Sequence, residues 1–178
     1  MQVMTSKLKQ PTNDGEIVRA TIDEVRSDRT VDARHVLRRL NDWKVRVHRL
    51  FDFIEDELGD DFTYDRTGKH QSEEELVQRA GLSGAAVPAL DILRIEKPAG
   101  SLRAIIIPRG LWVIGANGRL DLRVLRGALR QEQYFLIDKS QPLSGPENAD
   151  WYLASAADRL DQQLLTGELV REVIGTSA

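Results

Sequence analysis

Apolar side chains recur at helical spacing in the first third of this chain and at alternating spacing over most of the rest. Val36, Leu40, Trp43, Val47, Leu50 and Ile54 are separated by 4, 3, 4, 3 and 4 residues, and Leu37, Phe51 and Leu58 widen the stripe along an adjacent column. This pattern predicts one long helix from Asp32 to Leu58, ended by Gly59 and roughly 40 Å in length at 1.5 Å per residue. Two readings of its stripe compete. A widened stripe suits a helix packed on the sheet of its own chain. Strict 4-3 alternation suits self-association through Val36, Leu40, Trp43, Val47, Leu50 and Ile54, as a short coiled coil joining two copies into a homodimer.

Upstream, residues 1–15 form a polar leader with Pro11, Asn13, Asp14 and Gly15 as breakers, and Val18, Ile22 and Val25 predict a short amphipathic helix over Glu16–Ser27. Downstream of Gly59 a polar loop runs to Gln71. Ser72-x-x-Glu75 then reads as a capping box for a helix over Glu73–Ala80, with Gly81 as its left-handed stop and Leu82 placed to contact Val77. Gly81–Pro88 is the best hinge in the chain, and divides it into a helical region, 16–83, and a β region, 84–178.

From Ala89 the period changes to that of strands. Leu90–Lys97, Leu102–Ile107, Leu111–Ala116, Arg119–Val124, Tyr134–Lys139 and Trp151–Ser155 are rich in β-branched and aromatic residues and are bounded by turn formers. Asn117-Gly118 suits the two positive φ angles of a type I′ hairpin. That turn would pair Ala116 with Arg119, Val113 with Leu122 and Leu111 with Val124. One face would then be apolar, and the other would carry Trp112, Ile114, Arg119, Asp121 and Arg123, with Trp112 opposite Arg123. Ala156 to about Leu165 predicts a C-terminal helix, continued through Leu169, Val170 and Val173. The expected class is α+β: helices first, then an antiparallel meander of five or six strands, curled or closed into a small barrel, with a C-terminal helix.

Composition changes this picture in two ways. The 178 residues contain no cysteine, which excludes disulfides and thiolate metal sites and favours a reducing compartment. No apolar run approaches the ~18 residues of a membrane span, and the first 15 residues lack the apolar core of a signal peptide. A cytoplasmic protein without membrane contact is expected, and the preference for Arg over Lys points to a GC-rich bacterial genome. The second change concerns charge. A net charge of -3 hides an acidic stretch over residues 13–75, with 17 acidic and 11 basic side chains (11 − 17 = −6). Residues 94–130 reverse it with 8 basic and 2 acidic side chains (8 − 2 = +6).

Arg94, Arg103, Trp112, Arg119 and Arg123 are therefore the candidate binding residues, offered either to an acidic protein or, with Trp112 as a stacking platform, to single-stranded nucleic acid. Modest overall acidity argues against a dedicated duplex binder.

Catalytic patterns are weak. Asp60, Asp61, Asp65 and Glu73 are hard-ligand candidates for a divalent cation and a hydrolase reading, yet Arg66 stands where a calcium loop of the EF-hand type requires glycine. His48 and Asp52 are four residues apart with no nucleophile near them in sequence. Asp91, Glu96 and Lys97 resemble a nuclease triad only loosely, because adjacent strand residues point to opposite faces. No glycine-rich phosphate loop, nucleophile elbow or zinc-helix motif occurs. The expected function is a non-enzymatic interaction module with no cofactor.

Overall fold

A computed structural model describes residues 32–72, 74–113, 115–127 and 130–175. The leader, the helix expected over Glu16–Ser27, and the individual residues Glu73 and Ile114 lie outside the described residues. Helix α1, Ala33–Leu58, begins where the pattern predicts: the Asp32 carboxylate accepts from the Arg34 amide, and Gly59 closes the helix at φ 63°. Its apolar stripe faces inward along the whole length. Val36, Leu40, Trp43, Val47, Leu50 and Ile54 are all 0–2 % exposed.

These side chains pack on one face of a seven-stranded antiparallel sheet with strand order β1-β4-β5-β6-β7-β8-β9. The strands are β1 Thr63–Asp65, β4 Leu93–Glu96, β5 Leu102–Gly110, β6 Arg119–Arg126, β7 Arg130–Asp138, β8 Trp151–Ser155 and β9 Gln162–Leu164. Two short strands, β2 Lys69–His70 and β3 Leu90–Asp91, form a separate ribbon. The core rows run across the strands as Leu93, Ile106, Leu122 and Tyr134, and as Leu120, Leu136 and Leu153. A fully buried Leu or Ile contributes about 1.5–3 kcal/mol, so these rows and the α1 stripe dominate the stability of the fold. The seam offered to a second copy is thus occupied by the chain's own sheet. A seam-to-seam helix pair would require lifting α1 off that sheet.

Sheet β1–β9 is open, not a closed barrel, because its two end strands pair only inward. It carries more strands than the pattern indicated, for two reasons. The residues after Ser155 turn back as β9 on the far side of β8 instead of entering a helix. At the other end, β1 pairs with β4 across the polar loop that follows α1. The helical part of the C-terminus starts later, at α3 Gly167–Val170, capped by the Thr166 hydroxyl, and continues as a wider turn through Arg171–Gly175. Its Val170, Val173 and Ile174 close the core beside Ile54. Helix α2, Glu75–Arg79, ends in the expected Schellman pair, Leu82 N to Val77 O and Gly81 N to Gln78 O at 3.0 Å each. Its expected capping box does not form, because the Ser72 hydroxyl donates to the Glu74 carboxylate instead.

The largest departure lies at Asn117-Gly118. No two-residue hairpin forms there. Strand β5 runs through Pro108 to Gly110 and pairs directly with β6, so Ile105 faces Arg123, Ile107 faces Asp121 and Gly110 faces Arg119. Leu111–Val113 and Gly115–Gly118 lie outside both strands, at the end of the pair. Two demands outweighed the local turn preference. Asn117 is fully buried and its side-chain oxygen accepts from Arg39. At Gly118 a Cβ would collide with the Trp43 ring. Among the described residues no helix is long and apolar enough to cross a membrane.

Candidate partner-binding face

With α1, α2 and α3 contributing to the core on one side of the sheet, its other side is the place to look for the predicted basic surface. The register sorts the candidates. Arg94 of β4 lies opposite Ile105, which lies opposite Arg123; Arg119 and Asp121 follow on the same side of β6. Arg94, Arg119 and Arg123 therefore share the outer face, as the alternation of β6 predicts. Two other guanidiniums join them. Arg109 donates from Nε to Asp121 Oδ2 at 2.7 Å, and Arg119 Nε approaches the other Asp121 oxygen at 3.6 Å. Arg119 and Arg159 both stand over the Phe135 ring, each with its guanidinium carbon 5.0 Å from the centroid.

The arrangement follows from local sequence. Alternation along β6 aims Arg119, Asp121 and Arg123 outward. The irregular pairing between Pro108 and Gly110 turns Arg109 toward its neighbour strand. Asp121 is 5 % exposed, and a carboxylate so desolvated is held by paired charges. Ile105, Ile107 and Ile137 lie between these side chains on the same face and are half-buried. Nearby His70 has its pKa lowered by burial and by the positive charge of Arg109, which favours the neutral ring.

Two expected members of the face belong elsewhere. Arg103 is 3 % exposed, on an irregular step of the β4–β5 pairing, and donates to the Ile174 and Leu125 carbonyls at 2.5 and 2.9 Å. With Arg126, which donates to the Val173 carbonyl at 2.7 Å, it ties the end of the C-terminal helical segment to the sheet. Trp112 is not opposite Arg123. It sits outside both strands, with its ring 6.0 Å from the Arg39 guanidinium.

Of the metal candidates, Asp60, Asp61 and Asp65 are described and Glu73 is not. The Asp65 carboxylate accepts from the Thr67 amide, and no group of three or more ligating side chains assembles among the described residues. Asp91 is engaged by Lys69 and, at 3.5 Å, by His48, while Glu96 faces Arg94 at 3.5 Å.

The sequence reading missed a buried polar network between α1 and the sheet. Arg46 is fully buried and uses all five donors: Nε to Asp42 at 2.7 Å, Nη1 to Asp138 at 3.2 Å and to Ser140, Nη2 to the Ser144 hydroxyl at 3.2 Å and the Gly145 carbonyl at 2.9 Å. Asp138 also accepts from the Ser140 amide at 2.9 Å and from the Asn117 amide group at 3.4 Å. Burial pushes the Asp138 pKa up, against the opposing pull of Ser140 and Arg46. Glu74 is raised likewise by burial, opposed by the Leu111 amide, Ser72, the Trp112 amide and the charge of Arg39. A signal for this network existed: Arg39 and Arg46 lie one heptad apart, each about 40° from a seam residue four positions on.

Neither the family models, nor the curated proteins, nor the solved structures yield a match. The functional reading rests on the geometry of the chain itself.

Proposed function

We propose that the chain is a non-enzymatic interaction module that binds an acidic protein segment on the outer face of its sheet. The observation that carries this reading is the imbalance of charge there. Arg94, Arg109, Arg119, Arg123 and Arg159 stand on a surface whose carboxylates are Asp121, already shared by two of them, and Asp65 and Glu96 beside Arg94 at the edge. Guanidinium groups meet carboxylates through paired, directional hydrogen bonds. Half-buried isoleucines between arginines give such a face the mixed character of a protein interface, where arginine is enriched.

Single-stranded nucleic acid is the second reading and has less support. Base stacking needs an open aromatic face, whereas Phe135 is 6 % exposed beneath two guanidiniums and Trp112 lies off the face. Self-association through the α1 stripe has no support from a stripe already buried, and the hydrolase reading has no ligand set assembled among the described residues.

The test is a titration of the full chain into a fluorescein-labelled glutamate-rich peptide and, separately, a labelled oligothymidine of equal charge, across a salt series. The peptide is expected to bind more tightly at each salt concentration, and to weaken as salt screens the pairing. The double change Arg119→Glu with Arg123→Glu is expected to reduce affinity roughly tenfold or more, about 1.4 kcal/mol or above. Tighter binding of the oligonucleotide would transfer the face to nucleic acid. Absence of both at low salt would remove the proposal.

A further inference from the structure

The geometry points to a second interaction surface, distinct from the basic face: the open edge of β9 together with the groove beside it, fitted to an extended peptide strand carrying an apolar side chain flanked by basic ones. The edge comes first. β9 pairs inward with β8 as Leu164 to Tyr152, Leu153 to Gln163 and Ala154 to Gln162, and the Leu165 amide donates to the Trp151 carbonyl at 2.8 Å. In an antiparallel ladder the bonded pairs alternate. Leu165 and Gln163 therefore direct their backbone groups toward β8, and Gln162 and Leu164 direct theirs away from it. Among the described residues no strand lies on that side. Such an edge is a template for a further strand.

The groove is an independent observation. A volume of about 330 Å³ lies between α1 and this edge, lined by Leu50, Phe53, Trp151 and Leu165, with Glu147 and Asp150 at its rim. Its size is that of a few side chains. A strand added beside β9 would direct alternate side chains into the space below α1. Leu164, at 53 % exposure, is one of the most exposed large apolar residues described.

The rim specifies the flanking charge. Glu147 and Asp150 are exposed and form no ion pair among the described residues, and Arg49 of α1 is the single cation among the lining residues. A basic residue two positions from the apolar anchor, on the same face of the added strand, meets two carboxylates there. The wall carrying them is held from within, because Arg46 donates to the Ser144 hydroxyl and the Gly145 carbonyl at the start of that loop. A wall already fixed before binding lowers the ordering cost of a complex.

The test uses the full chain and one probe, a fluorescein-labelled peptide Thr-Lys-Thr-Leu-Thr-Lys-Thr, whose leucine and lysines share one face of an extended strand, by fluorescence anisotropy. Three changes are compared. Leu164→Pro removes the outward amide at the edge and leaves the bonds to β8, which come from Gln163 and Leu165. Glu147→Lys with Asp150→Lys reverses the rim. N-methylation of alternate peptide amides removes the probe's own ladder without altering the protein, so a folding defect in Leu164→Pro does not decide the outcome. Each is expected to weaken binding roughly five- to tenfold, the worth of one or two hydrogen bonds or of a charge pair. Arg119→Glu with Arg123→Glu is expected to leave this probe's binding unweakened, which separates the inference from the proposal for the basic face. Absence of binding at millimolar peptide overturns it. So does binding that tolerates N-methylation, or binding unchanged by the rim reversal.

Discussion

A single buried guanidinium holds more of this structure together than any surface pair. Arg46 joins Asp42, Asp138, Ser140, Ser144 and Gly145, and so connects the middle of α1 to the end of β7 and the loop after it. Removing one member of a buried charged pair strands the other in a medium that solvates it poorly. Arg46→Ala is expected to destabilise by about 3–5 kcal/mol, read as the denaturant midpoint at constant slope. The double change Arg46→Met with Asp138→Leu, which removes both charges, should recover part of that loss. An equal or larger loss in the double variant would show that packing, not the stranded carboxylate, is responsible. Glu74 gives a pH prediction. Its folded pKa is raised above the ordinary 4.5, so the folded state holds the proton more tightly than the unfolded chain. This contribution is complete below about 4.5 and is lost as pH rises through the folded value. Glu74→Gln is expected to flatten that part of the stability–pH curve, measured by thermal unfolding at a series of pH values; an unchanged slope contradicts the assignment. Residue-scale roles were the least legible in the sequence. Asn117-Gly118 has the composition of a tight turn, yet Asn117 is drawn into Arg39 and Gly118 makes room for Trp43, tertiary demands that a local pattern does not display.

At the scale of elements the pattern was read more faithfully. The α1 stripe, its start near Asp32 and Gly59 stop, the Gly81 end of α2 and strand β8 all follow from periodicity and stop signals that act within a few residues. Failures came where an element is defined by its neighbour. β9 is three residues long and exists because β8 offers an edge, so its own sequence, read with the residues before it, looked helical. The Pro108–Gly110 stretch looked like a turn because proline and glycine usually punctuate, but a ladder irregularity absorbs them. The α1 seam is the element-scale test. Leu40→Asp or Leu50→Asp places a carboxylate at a site 2 % exposed in the chain's own core. Either is expected to cost several kcal/mol and to lower the unfolding temperature sharply. A variant that stays folded with unchanged midpoint while a dimer dissociates would restore the two-copy reading of the seam.

For the whole molecule, the charge asymmetry of the sequence resolves into an architecture. α1 lies on one side of an open sheet, and Arg94, Arg119 and Arg123, joined by Arg109 and Arg159, lie on the other. The places of Arg94, Arg119 and Arg123 on this face were legible because strand alternation determines which face a side chain takes once the ladder forms. Those of Arg103 and Trp112 were not, since one sits at an irregular step and the other outside the strands. The central claim is that this second face is the functional one. Its most direct test is a map of backbone amide shifts in isotopically labelled protein during titration with the glutamate-rich peptide. Shifts concentrated on Arg94, Ile105, Arg119–Arg123 and Phe135 are the predicted result. Shifts confined to α1, or spread without preference over both sides of the sheet, would contradict it.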